Sequence, residues 1–253
     1  MIKQLTFSPE IRPLWNSIAS SGFPFSQFDW HEAWSSTISD DWVPYPIHVN
    51  GHLIAPLARR ENAVTFSGGR EVSDYMDLIG PEHEKPNAWR AIINYCSQQG
   101  IRMLVFPNVP EGSATLTYFR NEVKRLKTIH HVSIEKEDVT PILALPSAWE
   151  TYTGNLDRKD KHELERKLRK FEREHPSWTL RTSQSPSEDI TILLGQMKTD
   201  SAKNSFLTPS MQQFFQEIVR RFEDSIELLI LEEKGQAIAS TLSFVTPLRR
   251  SSI

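Results

Sequence analysis

Two short hairpins set the terms on which this chain can fold. The first places Tyr45-Pro46-Ile47-His48-Val49 and His52-Leu53-Ile54-Ala55-Pro56-Leu57 on either side of Asn50-Gly51, a pair that accepts the positive φ values of a type I′ turn. The second places Glu227-Leu228-Leu229-Ile230-Leu231-Glu232 and the run from Ala237 to Phe244 about a Lys234-Gly235 turn. Laid over each other, Gly51-His52-Leu53-Ile54-Ala55 and Gly235-Gln236-Ala237-Ile238-Ala239 share Gly, Ile and Ala, and each hairpin follows two helical segments. Matching turn chemistry alone also occurs in unrelated hairpins; the matching order of elements favours an internal repeat.

The surrounding periodicity supplies the other elements. Ser8-Pro9-Glu10 reads as a helix start, with Leu14, Trp15 and Ile18 at helical spacing and Gly22 as the stop. From about Gln27, the residues Trp30, Ala33, Trp34 and Ile38 form a second apolar stripe. Ala63-Val64-Thr65-Phe66 reads as a strand, and Asn87 as the cap of a helix carrying Trp89, Ile92, Ile93 and Cys96 and closed by Gly100. Met103 to Phe106 reads as a short buried strand, a helix follows from about Ser113, and strands are predicted near 132–134 and 142–145. A first unit therefore spans 1–146 and a second 147–253. The second opens with a charged helix over 157–175, ended by Pro176, before a strand at Trp178 and helices at 190–197 and from Thr208-Pro209 onward.

At 253 residues with a net charge of −3, the chain is long enough for one large or two small cores and carries no broad basic field for nucleic acid. No run reaches the roughly 18 apolar residues of a membrane span, and the Met1-Ile2-Lys3-Gln4 start lacks the pattern of a secretory signal. One cysteine, Cys96, excludes an internal disulfide and points to a reducing, cytoplasmic setting. It falls on an apolar stripe and reads as a buried structural thiol. No G-x-G-x-x-G, P-loop or G-x-S-x-G is present, so dinucleotide, kinase and serine-hydrolase readings lack support. His162-Glu163 begins like a zinc-protease pair, but Arg166 stands where the second histidine belongs, and neighbouring His130 and His131 would point to opposite faces of a strand. No metal site is expected.

The order helix, helix, hairpin, strand, helix, strand, helix, strand, strand resembles the GNAT acyltransferase fold. Further stretches strengthen the resemblance: Gly68-Gly69 with Ser73-Asp74-Tyr75 and Asp77; Pro141 to Pro146 with Trp149-Glu150-Thr151-Tyr152; and Arg158-Lys159-Asp160-Lys161-His162-Glu163-Leu164 with Arg166-Lys167-Leu168-Arg169. Together they look like the CelD-like branch, whose members pair two GNAT units as Fem-type aminoacyltransferases do. The fold class so implied is mixed α/β (α+β), with mostly antiparallel sheets flanked by helices, one complete unit and part of a second that lacks its fourth strand. The resemblance implies transfer of an acyl group from acyl-CoA to a small-molecule or cell-envelope amine. It also implies a glycine-containing cradle for the donor's diphosphate, which in the first unit would fall at Gly80 to Asn87. That segment holds two prolines without N–H groups and two glutamates, a poor setting for phosphate. Read this way, the chain is a truncated member with impaired acyl-CoA binding.

Asp74, Tyr75 and Asp77 are the candidate catalytic residues, the carboxylates orienting an amine and the phenol donating a proton. The same residues also suit a turn, with Asp74 satisfying backbone N–H groups. Lys159, Lys161, His162, Glu163 and Arg166 are candidates for binding a phosphorylated or carboxylated acceptor, or else form a solvated face laced with ion pairs. Two other readings stay open. One is a non-catalytic scaffold that self-associates through an open sheet edge; the other is a Fem-like transferase fed by aminoacyl-tRNA.

Overall fold

The structure, a computed structural model, describes residues 1–19, 23–126 and 131–246, together with the backbone of 249–252. The expected stop at Gly22, and His130, lie outside the described residues.

The first half begins with β1 (Ile2–Gln4), followed by a 3-10 turn at Pro9–Ile11, then α1 (Arg12–Ile18) and α2 (Phe28–Thr37). β2 (Val43–Pro44) and β3 (Ile47–Val49) run into the predicted turn and return as β4 (Leu53–Ala55) and β5 (Leu57–Arg60). Pro44↔Ala58 and Ile47↔Ala55 keep one register, which sets Pro46 opposite Pro56. Neither proline has an N–H to give the ladder, so one long hairpin is interrupted at its middle. β1 pairs with β3, β6 (Ala63–Phe66) with β5, and β7 (Met103–Val105) lies parallel to β6. Between β6 and β7 runs α3 (Lys85–Gln98), and after β7 comes α4 (Ala114–Leu126).

The second half repeats part of this order, a strand and then helices leading into a hairpin and a further strand, without counterparts of α3, β7 and α4 among the described residues. α5 (Trp149–Asn155) and α6 (Arg158–Glu174) lead to β8 (Trp178–Thr182), then α7 (Pro186–Met197), α8 (Ser201–Phe206) and α9 (Pro209–Arg221). β9 (Ile226–Glu233), β10 (Gln236–Thr246) and β11 (Arg249–Ser252) complete a sheet ordered β11-β10-β9-β8, antiparallel throughout. The two hairpin turns match closely: φ is 52° and 84° at Asn50 and Gly51, and 52° and 78° at Lys234 and Gly235. This is the mixed α/β architecture of antiparallel sheets flanked by helices that the resemblance implies. Among the described residues, no helix is long and apolar enough to cross a membrane.

The halves share a core. Trp30, Ala33, Trp34 and Ala58 pack with Ile190, Phe214, Ile218, Leu228, Ile230 and Phe244 from beyond the expected boundary at 146/147. Trp30 meets Phe214, Phe222 and Phe244 edge-on at centroid distances of 5.4, 6.3 and 6.0 Å, the geometry that ring quadrupoles favour. Around it, Arg221 of α9 pairs with Asp29 and Glu32 of α2, which also hold Arg12. A separate cluster, with Trp89, Ile92 and Cys96 of α3 at its centre, covers the other face of the first sheet.

Four expectations are corrected. Residues 131–146 form no strand, although 132–134 and 142–145 have strand-like sequences. Ile142, Leu143 and Leu145 stay 60–72% exposed, so they find no face that would reward pairing. The strand at β7 is an edge, not a buried element, with Met103 and Val105 about half exposed. α3 starts at Lys85 with Pro86 in its first turn, ahead of the expected cap Asn87, because proline suits that position. The expected absence of a fourth strand in the second sheet is also overturned: Arg249 and Arg250 lie in β11, paired with Thr246 and Val245.

Candidate functional site

The loop from β6 to α3 is fastened at several points. Gly68 and Gly69 adopt φ of +120° and +84°, and their backbones lie so close to Trp30 and Trp34 that a Cβ would meet those rings at 3.4 and 3.1 Å. Only glycine combines that conformation with that approach. The Trp30 indole donates to Ser73 Oγ at 2.7 Å, and Ser73 Oγ donates to Gly68 O at 2.7 Å. From the strand β7 side, Asn108 Nδ2 donates to the carbonyls of Ser73 and Arg70 at 2.7 and 2.9 Å, and Met76 N–H donates to Asn108 O at 3.0 Å.

Asp74 and Tyr75 therefore sit on a held platform. Tyr75 takes φ of +54°, an uncommon value for an aromatic residue, and its ring stacks on Phe23 at 5.0 Å. The Asp74 carboxyl is at the surface, yet its surroundings and the nearby Asp138 carboxylate push its pKa above the usual carboxylate value.

Asp77 is placed differently. Its carboxylate accepts from Leu78 N–H at 2.6 Å, from Lys85 Nζ at 2.7 Å, and from the hydroxyls of Ser113 and Thr115. Thr115 Oγ1 in turn accepts from the Trp89 indole at 2.7 Å. With these four donors Asp77 joins the loop, α3 and α4, and its acceptor positions are filled. Lys85 also pairs with Glu82, whose second oxygen accepts from Ala114 N–H at 3.0 Å. Burial raises the Glu82 pKa, but Lys85 and that amide outweigh it and hold the group below its ordinary value. Sequence reasoning passed over Lys85, Ser113 and Thr115. The latter two lie 36 and 38 residues from Asp77, and no local pattern connects them.

The second set of candidates lies on α6. Asp157 caps the helix by accepting Asp160 N–H at 2.8 Å. Arg166 clasps Glu163 with two hydrogen bonds of 2.8 and 2.7 Å, which draw the Glu163 pKa down to about 2. Lys159, Lys161 and His162 are exposed, and no residue of α6 is buried. Among the described residues, no hydrogen bond, ion pair or ring contact joins the α6 candidates to Asp74, Tyr75 or Asp77. Among the described residues, no three metal-ligating side chains gather into a site. Burial pushes the Cys96 thiol up to about 11, against a weaker pull from Arg59, so it is protonated at neutral pH.

The start of α3 does not fit a diphosphate. Glu82 and Glu84 occupy its approach and Pro86 removes an N–H, while the nearest cation, Lys85, is turned inward with a side chain only 4% exposed. Gly80 offers no open cradle either: a Cβ there would meet His52 O at 2.5 Å. Acidic side chains at a helix N-terminus take the place an anion would need.

The family described as Acetyltransferase (GNAT) domain matches residues 158–251, a segment running from α6 through β11. No curated protein matches the chain. Among solved structures, a conserved protein of unknown function from Bacteroides thetaiotaomicron VPI-5482 is similar at 10% identity and a TM-score of 0.49, covering 96% of this chain and 74% of that one. Residues 158–251 are thus similar to the GNAT acetyltransferase domain family.

Proposed function

We propose that the chain works in N-acyl transfer, of the kind the CelD-like and Fem-type resemblance implies, and that its first unit supplies the acceptor side. The observation that carries this reading is the GNAT match over 158–251 in a chain whose first half shares the run of a strand, helices, a hairpin and a further strand. In this reaction the amine nitrogen attacks a thioester carbonyl, a C–N bond forms and the C–S bond breaks. Asp74 takes the proton leaving nitrogen, a task helped by its raised pKa, and the Tyr75 phenol gives a proton to the departing thiolate. Asp77 holds the loop on which both stand. Lys159, Lys161, His162, Glu163 and Arg166 of α6 form the surface toward an anionic, amine-bearing acceptor, small or part of the cell envelope.

The donor side follows from the poor fit at α3. With no amide cradle at the start of α3, the diphosphate of acyl-CoA adds no binding there, so the first unit treats acyl-CoA and a short acyl-pantetheine thioester alike. Thiol release measured with both donors and a panel of amines tests this. A kcat/KM ratio within about tenfold of one, with turnover lost in Asp74→Asn, supports the proposal. A preference for acyl-CoA of about a hundredfold or more contradicts the donor half, and absence of turnover with either donor contradicts acyl transfer itself.

A second reading, a non-catalytic binding protein, draws on the outer strand of the second sheet. β8 pairs on one side with β9, and its Trp178 and Leu180 are 42% and 57% exposed, a surface on which a partner strand or a second copy can add.

A further inference from the structure

We propose that Glu137 is a positioning residue for Asp74, a clip that fixes the connection between α4 and α5 against the loop carrying Asp74 and Tyr75 and so sets Asp138 at the side of Asp74. The catalytic half of this inference rests on the acyl-transfer reading; the clip itself does not. Residues 131–146 form no helix or strand that would order them. Among the described residues, the bonds of Glu137 are the only hydrogen bonds or ion pairs that tie this segment to the rest of the chain. One of its carboxylate oxygens accepts from Asn108 N–H at 2.8 Å, and the other meets the Arg70 guanidinium at 2.5 Å.

Both partners belong to the frame of the Asp74 loop. Asn108 takes φ of +56°, which asparagine tolerates better than most residues. Its Nδ2 spans the carbonyls of Arg70 and Ser73 and its C=O accepts Met76 N–H. Asn108 thus grips the chain just before Asp74 and just after Tyr75, and its own N–H is given to Glu137. The Arg70–Glu137 side chains are 64% and 31% exposed, so the ion pair adds little stability by itself. Its effect is geometric. Attachment at two points fixes the direction of the Glu137 carboxylate, and the next residue is fixed with it. The Asp138 carboxylate accepts Val139 N–H at 2.7 Å, and its charge reaches Asp74.

The arrangement decides what Asp74 feels. The charged side chains that flank Asp74 along its loop and across this contact are Arg70, Glu71, Lys136, Glu137 and Asp138, and of these Asp138 is the one whose charge raises the Asp74 pKa, alongside partial burial. Arg70 is taken up by Glu137, and among the described residues the Asp74 side chain makes no ion pair or hydrogen bond. Removing Glu137 therefore acts on Asp74 in two ways. The loosened segment carries Asp138 away, and the freed Arg70 guanidinium is left without its carboxylate beside the loop. Both changes favour the ionised form of Asp74 and make it a weaker proton acceptor.

The test uses the full chain labelled with carbon-13 at the aspartate carboxyls and follows the Asp74 resonance, assigned with Asp74→Asn, as pH is varied. Glu137→Ala and Asp138→Asn are each expected to move the Asp74 midpoint to lower pH. Glu135→Ala removes an equal charge from the same segment but no contact, and is expected to leave the midpoint in place. Residues 135, 137 and 138 are exposed, and an unchanged unfolding temperature shows that each variant keeps its fold. In the thiol-release assay, Glu137→Ala is expected to lower kcat at least about tenfold with KM within about threefold of the wild type. An unmoved midpoint in Glu137→Ala or Asp138→Asn, an equal shift in Glu135→Ala, or an unchanged kcat in Glu137→Ala each overturns the inference. The expected titration shifts in a protein that turns over no thioester support the clip and overturn the acyl-transfer reading instead.

Discussion

The Asp77 carboxylate meets the Lys85 ammonium at 2.7 Å, with side chains only 10% and 4% exposed. Removing Asp77 leaves the buried Lys85 ammonium with only Glu82, a 62% exposed side chain, as its partner, and breaking such a buried pair costs up to about 3–5 kcal/mol. Asp77→Ala is expected to lower unfolding stability by about that amount in a urea titration. Asp77→Ala with Lys85→Met is expected to recover part of the loss, since no charge is then left stranded. A single variant as stable as the wild type would show that the pair anchors nothing.

Trp30 joins the halves of the molecule. Trp30→Ala removes an indole that is fully buried and faces Phe214, Phe222 and Phe244, so a loss of about 3–5 kcal/mol is expected. Because the ring belongs to a core built from both halves, calorimetry should also show the single unfolding transition broaden or split. A loss below about 1 kcal/mol would mean that the shared core does not depend on this ring.

Acid should destabilise the protein through His31. The imidazole is buried beside Ser67, with Oγ to Nδ1 at 2.8 Å, and burial lowers its pKa from 6.5 to about 3. The unfolded chain therefore binds a proton that the folded chain refuses between those values. Stability from this source is complete above pH 6.5 and falls as pH drops toward 3, by about 1.4 kcal/mol per unit. His31→Gln is expected to flatten the stability profile over that window whatever it does to absolute stability. Parallel profiles for the two proteins would contradict the assignment.

Asp74 gives a functional prediction with a pH signature. Since its pKa is raised, a proton acceptor at this position becomes competent only above the usual carboxylate range. Turnover in the thiol-release assay should rise with pH through a midpoint above the usual carboxylate value, and Asp74→Asn should remove the activity without altering the unfolding temperature. Asp77→Asn, in contrast, should lower both.

Much of this architecture is legible in local sequence, because it depends on local chemistry. Asn50-Gly51 and Lys234-Gly235 state their turns outright, Thr208-Pro209 begins α9, and the charge pattern of 157–175 becomes α6 with Asp157 as its cap. What sequence conceals is long-range. Asp77 looks like a free carboxylate until Thr115 of α4 and Ser113 just ahead of that helix arrive. The apolar run 142–145 looks like a strand until the fold leaves it without a neighbour, and no pattern in the chain announces that Trp30 packs on residues some 200 positions away.

Glu82, Glu84, Pro86 and the inward Lys85 close the start of α3 to a diphosphate. Titration calorimetry of the full chain with coenzyme A tests this directly. The expected result is no saturable heat at concentrations up to about 1 mM. A dissociation constant of about 1 μM, with the nucleotide held by main-chain amides, would contradict it.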